Sequence, residues 1–186
     1  QAAYLAVTAC ELGLAVEHAM AAMADAGPDV ETRLGALSVA TLAWALRGDT
    51  REAITAAELA LPHVQAVVGT NPNPVALNAI GVLPVAYAMA LVVDGRLADA
   101  SAIAELTMHA ARTSDFRILY AITAALDGRM ALWRGRADVA RERGEEGLVI
   151  VRDLRAPFPW PAGVAAMGAG QLGDAATARA ALAWLD

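Results

Sequence analysis

A glycine followed five residues later by an alanine recurs four times along this 186-residue chain, at Gly48/Ala53, Gly95/Ala100, Gly135/Ala140 and Gly173/Ala178. Each glycine closes an apolar run, and each alanine opens another run of helical character. The intervals between successive glycines are 47, 40 and 38 residues. Self-similarity at this length marks a chain built from stacked helical hairpins, and such arrays generally bind rather than catalyse.

Composition agrees with that architecture. Hydrophobic residues make up 58% of the chain and mean hydropathy is +0.44, far from the profile of a disordered segment. Much of the apolar content is alanine, the strongest helix former, while aromatics are 5%. No run of alternating Val, Ile and Thr is present, so the expected class is all-α.

All fourteen basic residues are arginine. A Walker-A phosphate loop and a Schiff base both require lysine, and neither can reside in this segment. The formal net charge is −6, with a pI near 5.0, and such a surface repels phosphate backbones, which argues against direct nucleic-acid contact. A single cysteine, Cys10, cannot form an internal disulfide, and no secretory signal precedes it, so a cytoplasmic location is expected. The chain opens at Gln1 directly in helix-like sequence and reads as a fragment of a longer multidomain protein. Residues 75–93 are uncharged over nearly the length of a membrane span. They contain Asn78, Gly81 and Pro84 and lack flanking basic or aromatic anchors, so they read as a buried helix.

Along the chain, residues 2–26 predict one long helix or a tight pair, ended by Gly27 and Pro28. Asp29 is the expected N-cap of a helix running to Arg47, and Gly48 its left-handed terminator. Asp49 or Thr50 caps a helix reaching about Val67, and residues 69–74 form a loop rich in Asn and Pro. A helix over 75–93 carries Pro84, which predicts a kink or a break. Helices over 97–112, from a cap at Ser114 or Asp115 to 134, and over 137–153 follow. Three prolines predict an extended connector over 156–161, before a short final pair over 162–172 and 174–185. One domain, 1–186, is expected throughout.

Fixed offsets from the glycines carry a family likeness. Small residues are needed where two helices cross closely. Seven residues before the glycines stand Thr41, Ala88, Gly128 and Ala166; twelve after stand Ala60, Thr107, Gly147 and Leu185. The pattern resembles tetratricopeptide hairpins from about Val30 to the end, although the periods exceed the usual ~34 residues. Degenerate alanine-rich repeats of this kind are similar to the helical arrays of large ATP-binding LuxR-type (MalT-like) transcriptional regulators. Residues 46–53 and 132–140 carry that likeness most strongly. The resemblance implies a right-handed α-solenoid of about four antiparallel helical hairpins. It also implies a nucleotide-hydrolysing module before the array, a helix-turn-helix module after it, and a protein partner, neighbouring domains or a small-molecule inducer as the signal.

Chemistry-bearing constellations are sparse. His18, His63 and His109 lack metal-ligand spacing, so no metal site is expected. Glu11 beside Cys10 would raise rather than lower its thiol pKa, and no Gly-x-Ser-x-Gly elbow exists. The mixed run from Arg141 to Glu146 reads as a solvated face with arginine–glutamate pairs one turn apart. These features argue against an enzyme and against a cofactor. The family's groove offsets place Met89, Val92 and Val93 on one hairpin and Ile122, Arg129, Leu132 and Trp133 on the next. Met, Val and Leu at helical spacing are ordinary core residues, and Arg129 and Trp133 stand one turn apart, where they can stack. The expected role is a non-catalytic interaction or signal-sensing module; the alternative is a plain docking scaffold with no small-molecule ligand and no link to transcription. A third reading, an all-α enzyme or ligand-binding bundle, needs more convergent polar groups than the sequence supplies.

Overall fold

Every element in the computed structural model is helical, and its described residues are 2–67, 74–156 and 158–184. In chain order they form α1 (Ala2–Thr8), α2 (Leu12–Asp25), α3 (Val30–Arg47), α4 (Thr50–Val67), α5 (Pro74–Val93), α6 (Leu97–Thr113), α7 (Arg117–Trp133), α8 (Ala137–Asp153), α9 (Trp160–Gln171) and α10 (Ala175–Leu182). The opening segment is thus a tight pair. The expected loop over 69–74 lies outside the described residues, except for Pro74, which opens α5.

The helix ends follow local chemistry. Asp29 Oδ1 accepts from the amides of Glu31 and Thr32 at 3.1 and 3.3 Å, capping α3 at its start. At its end Gly48 adopts φ +85°, its amide bonds to the Ala45 carbonyl, and that of Asp49 reaches back to Trp44. This paired pattern terminates a helix on a left-handed residue, the conformation that glycine adopts without steric cost. Gly95, Gly135 and Gly173 repeat it with φ between +72° and +83°.

Three further turns use the same pattern without glycine: Cys10, Asp115 and Arg155 have φ of +60°, +53° and +49°. Asp115 corrects an expectation. It terminates α6 rather than capping α7, and the Ser114 hydroxyl donates back to the Ala110 carbonyl at 2.7 Å. The N-cap of α7 is Phe116, whose side chain makes no capping hydrogen bond.

Two internal prolines bear on the expected spans. Pro84 lies inside α5 without breaking it, whereas α4 runs through Pro62 to Val67 as expected. Each removes one intrahelical donor, so packing of the flanking turns must offset the loss. Pro161 belongs to the first turn of α9 rather than to an extended connector. Its missing N–H there is one that no helix partner would have satisfied.

The helices group into two compact units, Gln1–Ala100 and Ser101–Asp186. In the first, α3 packs against α2, α4 and α5, and α4 also meets α5. Leu34 and Leu37 of α3, Ala57 and Ala60 of α4, and Ala79 and Leu83 of α5 form its main core. The buried Ser38 hydroxyl donates to the Ala79 carbonyl at 3.1 Å, joining α3 to α5.

In the second unit α8 packs against α7 and α9, α7 meets α9, and α10 covers α9. Glycine sets these approaches. A Cβ on Gly128 would stand 2.7 Å from Val164 Cγ1, and one on Gly168 2.5 Å from the Arg141 nitrogen. A Cβ on Gly144 would overlap the backbone of Ala165. Of the small residues expected at crossings, Thr41, Ala53, Ala60, Ala88, Ala100, Thr107, Gly128, Ala140, Gly147 and Ala166 are buried, whereas Ala178 is only partly buried. Leu185 lies outside the described residues.

Candidate functional site

An open cleft of about 490 Å³ with charged walls lies in the second unit, where Arg112, Arg117, Tyr120, Glu146 and Ile150 converge. α6 supplies Arg112 from its last turn, α7 supplies Arg117 and Tyr120 from its first, and α8 supplies Glu146. Tyr120 is central to it. Its hydroxyl donates to Glu146 Oε2 at 2.6 Å and accepts from Arg112 Nη2 at 2.5 Å. The Arg112 guanidinium also lies over the Tyr120 ring, 4.6 Å from its centre.

A second arginine completes the network from below. Arg143 Nη1 donates to the same Glu146 oxygen at 3.0 Å, and its Nε donates to Asp127 Oδ2 at 3.1 Å. Burial alone would lower the Arg143 pKa, but the bonds to Glu146 and Asp127 outweigh it and the net shift is upward. Burial raises the Tyr120 phenol, and the Glu146 carboxylate adds to that shift. The phenol therefore holds its proton more firmly than a free tyrosine, in the form that donates to Glu146. At the mouth, Arg117 Nη2 pairs with Asp153 Oδ2 at 2.8 Å.

Among the groove residues expected from the sequence, Arg129 and Trp133 come together: the Arg129 guanidinium lies 5.2 Å from the centre of the Trp133 ring. Trp133 is 52% exposed. Leu132 points instead toward the cluster of Ala125, Ala131, Ala140 and Val164, and serves packing. Met89 lies in the first unit and packs against Ala45, Ala53 and Ala90, with its neighbour Val92 buried and Val93 exposed. Ile122 is partly buried.

The run from Arg141 to Glu146 is more than a solvated face. Arg141 does approach Glu145 at 3.9 Å one turn on, but Arg143 and Glu146 turn inward to Asp127 and Tyr120, and Gly144 is buried at a crossing. Sequence reasoning missed this network. The available signal was Tyr120, the one tyrosine in the C-terminal half of the chain.

His18, His109 and Cys10 are exposed and His63 is partly so. Among the described residues, no group of three or more His, Cys, Asp or Glu is placed to hold a metal ion, and no helix is long and apolar enough to cross a membrane. No family model matches the chain, and no curated protein matches it.

Proposed function

We propose that this chain is a non-catalytic helical-repeat module, an α-solenoid of tetratricopeptide-like hairpins, that receives a protein partner or a small-molecule inducer for a larger cytoplasmic transcriptional regulator. One observation carries the repeat reading. The same two-bond, left-handed turn recurs at Cys10, Gly48, Gly95, Asp115, Gly135, Arg155 and Gly173. The paired small residues at the helix crossings support it further. The regulator assignment rests on the likeness of residues 46–53 and 132–140 to MalT-like arrays. In a module of this kind the signal acts by preferring one packing of the hairpins, which biases the neighbouring domains.

A thermal-shift screen of the purified chain against sugars, nucleotides, amino acids and hydrophobic metabolites tests this reading. A dose-dependent rise in melting temperature supports an inducer site. A flat screen from a well-folded sample removes the inducer and leaves the docking scaffold. That second reading is favoured by the exposed Arg129–Trp133 pair, since Trp and Arg dominate protein-binding hot spots.

A further inference from the structure

The net charge of the chain resides entirely in its first unit. Up to Ala100 there are four arginines against ten carboxylates, whereas from Ser101 onward ten arginines balance ten carboxylates. Within that acidic unit α2, α3 and α4 frame an open cleft of about 280 Å³. Met20 and Met23 come from α2, Leu37 and Trp44 from α3, and Leu59 from α4. Leu59 is 58% exposed and Met20 39%, so large apolar side chains stand in solvent around a concave, Trp-floored surface.

Such a cleft has the chemistry of a helix receptor. Methionine is flexible and polarisable and adapts to incoming side chains. Apolar grooves between helices accept the anchor residues of amphipathic helices. Charge then selects among occupants. An anionic lipid surface, a nucleic acid and the first unit of a second copy all meet a unit with six excess negative charges and are repelled. The second unit of a copy, with ten arginines against ten carboxylates, gains no net attraction. Arg51 and Glu52 both line the cleft, so the rim is mixed and the attraction comes from the unit as a whole. Glu17, one turn before Met20 on α2, adds a carboxylate on the same side.

We propose that this cleft docks an amphipathic helix of a partner protein, whose apolar stripe seats on Met20, Trp44 and Leu59 and whose polar face is basic. The cleft belongs to the first unit and the Arg129–Trp133 pair to the second, and the proposal has meaning only if the chain is a binding module, as proposed above.

The test is a titration of the whole chain with a labelled amphipathic peptide of about 20 residues, long enough to form a helix. Its leucines lie at i, i+3, i+4 and i+7, with arginine on the remaining face. A counterpart peptide has glutamate in place of each arginine. The arginine peptide should bind saturably, at least ~10-fold tighter than the glutamate peptide, and lose affinity as salt rises. Leu59→Gln and Met20→Gln should each weaken binding several-fold without changing the melting temperature, while Leu106→Gln, at an exposed position of the second unit, should leave it intact. Equal binding of the two peptides overturns the proposal. So does insensitivity to both cleft variants, absence of saturable binding by a folded chain, or binding to phosphatidylserine vesicles through Leu59. A metabolite that stabilises the chain alongside a flat peptide titration would retain the module and remove this surface alone.

Discussion

Tyr120 and Glu146 join α7 to α8 through a 2.6 Å hydrogen bond whose donor is a phenol with a raised pKa and whose acceptor also holds Arg143. Tyr120→Phe keeps the ring and removes only the hydroxyl. Glu146 then retains Arg143, while the exposed Arg112 turns to water. The expected cost is about 1.5–3 kcal/mol, the range for a hydrogen bond to a charged partner. Urea unfolding checks it; a change below a few tenths of a kcal/mol would show that water replaces the phenol at no cost.

Alkaline pH offers a second readout, because a chain without lysine has few groups that titrate near pH 10. The phenols of Tyr87 and Tyr120 are both raised above 10.0, chiefly by burial, with Glu58 and Glu146 adding respectively. A raised folded pKa means that the native state holds its proton longer than the unfolded chain does. The resulting stability is fully present below pH 10 and lost as pH rises through the folded values. Melting temperature should therefore fall above pH 10, and Tyr120→Phe should flatten that fall. At the acid end the caps Asp29 and Asp174, lowered by their bonds to Thr32 and Thr177, contribute stability that is present above 3.8 and lost as pH falls below it through their lower folded values. Asp29→Ala and Asp174→Ala should each flatten the acid limb.

The seven matching turns predict opposite effects from opposite substitutions. Arg155 is a side-chain-bearing residue at φ +49°. Relief of that strain by Arg155→Gly is worth about 1–2 kcal/mol before glycine's greater freedom in the unfolded chain takes back part of it. The net gain should be about 0.5–1 kcal/mol, a rise of a few degrees in melting temperature. Gly135 sits at φ +72° with nothing within 4 Å of an added Cβ, so Gly135→Ala isolates the backbone cost and should lower stability by about 1 kcal/mol. Equal effects from the two variants would show that these turns tolerate either residue.

Glycine at the turns was legible from spacing alone because a left-handed terminator has a local chemical signature. The same geometry at Cys10 and Arg155 was not, because nothing in those residue types announces φ above zero, and Asp115, a type that does visit that region, serves equally as an N-cap. The unbroken α5 across Pro84 was hidden for the converse reason: packing of α3 and α4 against it overrides a local breaker. Helix spans such as Val30–Arg47 and Ala137–Asp153 coincide with the sequence expectation, since alanine propensity and cap residues act locally. The Tyr120 network joins residues up to 26 positions apart, and its members meet only after α7 and α8 pack. Arg129 with Trp133 lay within one turn and could be paired from the sequence.

Crossing glycines give the sharpest contrast among single substitutions. A Cβ on Gly168 would lie 2.5 Å from the Arg141 nitrogen and 2.9 Å from the Ala137 carbonyl oxygen, both backbone atoms of α8 that cannot rotate away. Gly144 faces the Ala165 backbone in the same manner. Alanine at either site must push α8 and α9 apart, at a cost of about 3 kcal/mol or more, the upper end for overpacking. Gly128→Ala instead meets the Val164 side chain first, at 2.7 Å, with the nearest backbone atom, the Ala140 carbonyl oxygen, further off at 3.2 Å, so its cost should be smaller. Gly163, on the same helix α9 as Gly168, has nothing within 4 Å and ordinary helical backbone. Gly163→Ala should raise stability by up to ~1 kcal/mol through helix propensity alone. Thermal unfolding of the four variants should order them Gly163→Ala above the parent, then Gly128→Ala, then Gly144→Ala and Gly168→Ala. A Gly168→Ala variant as stable as the parent would mean that α8 and α9 do not approach as closely as the buried glycines require.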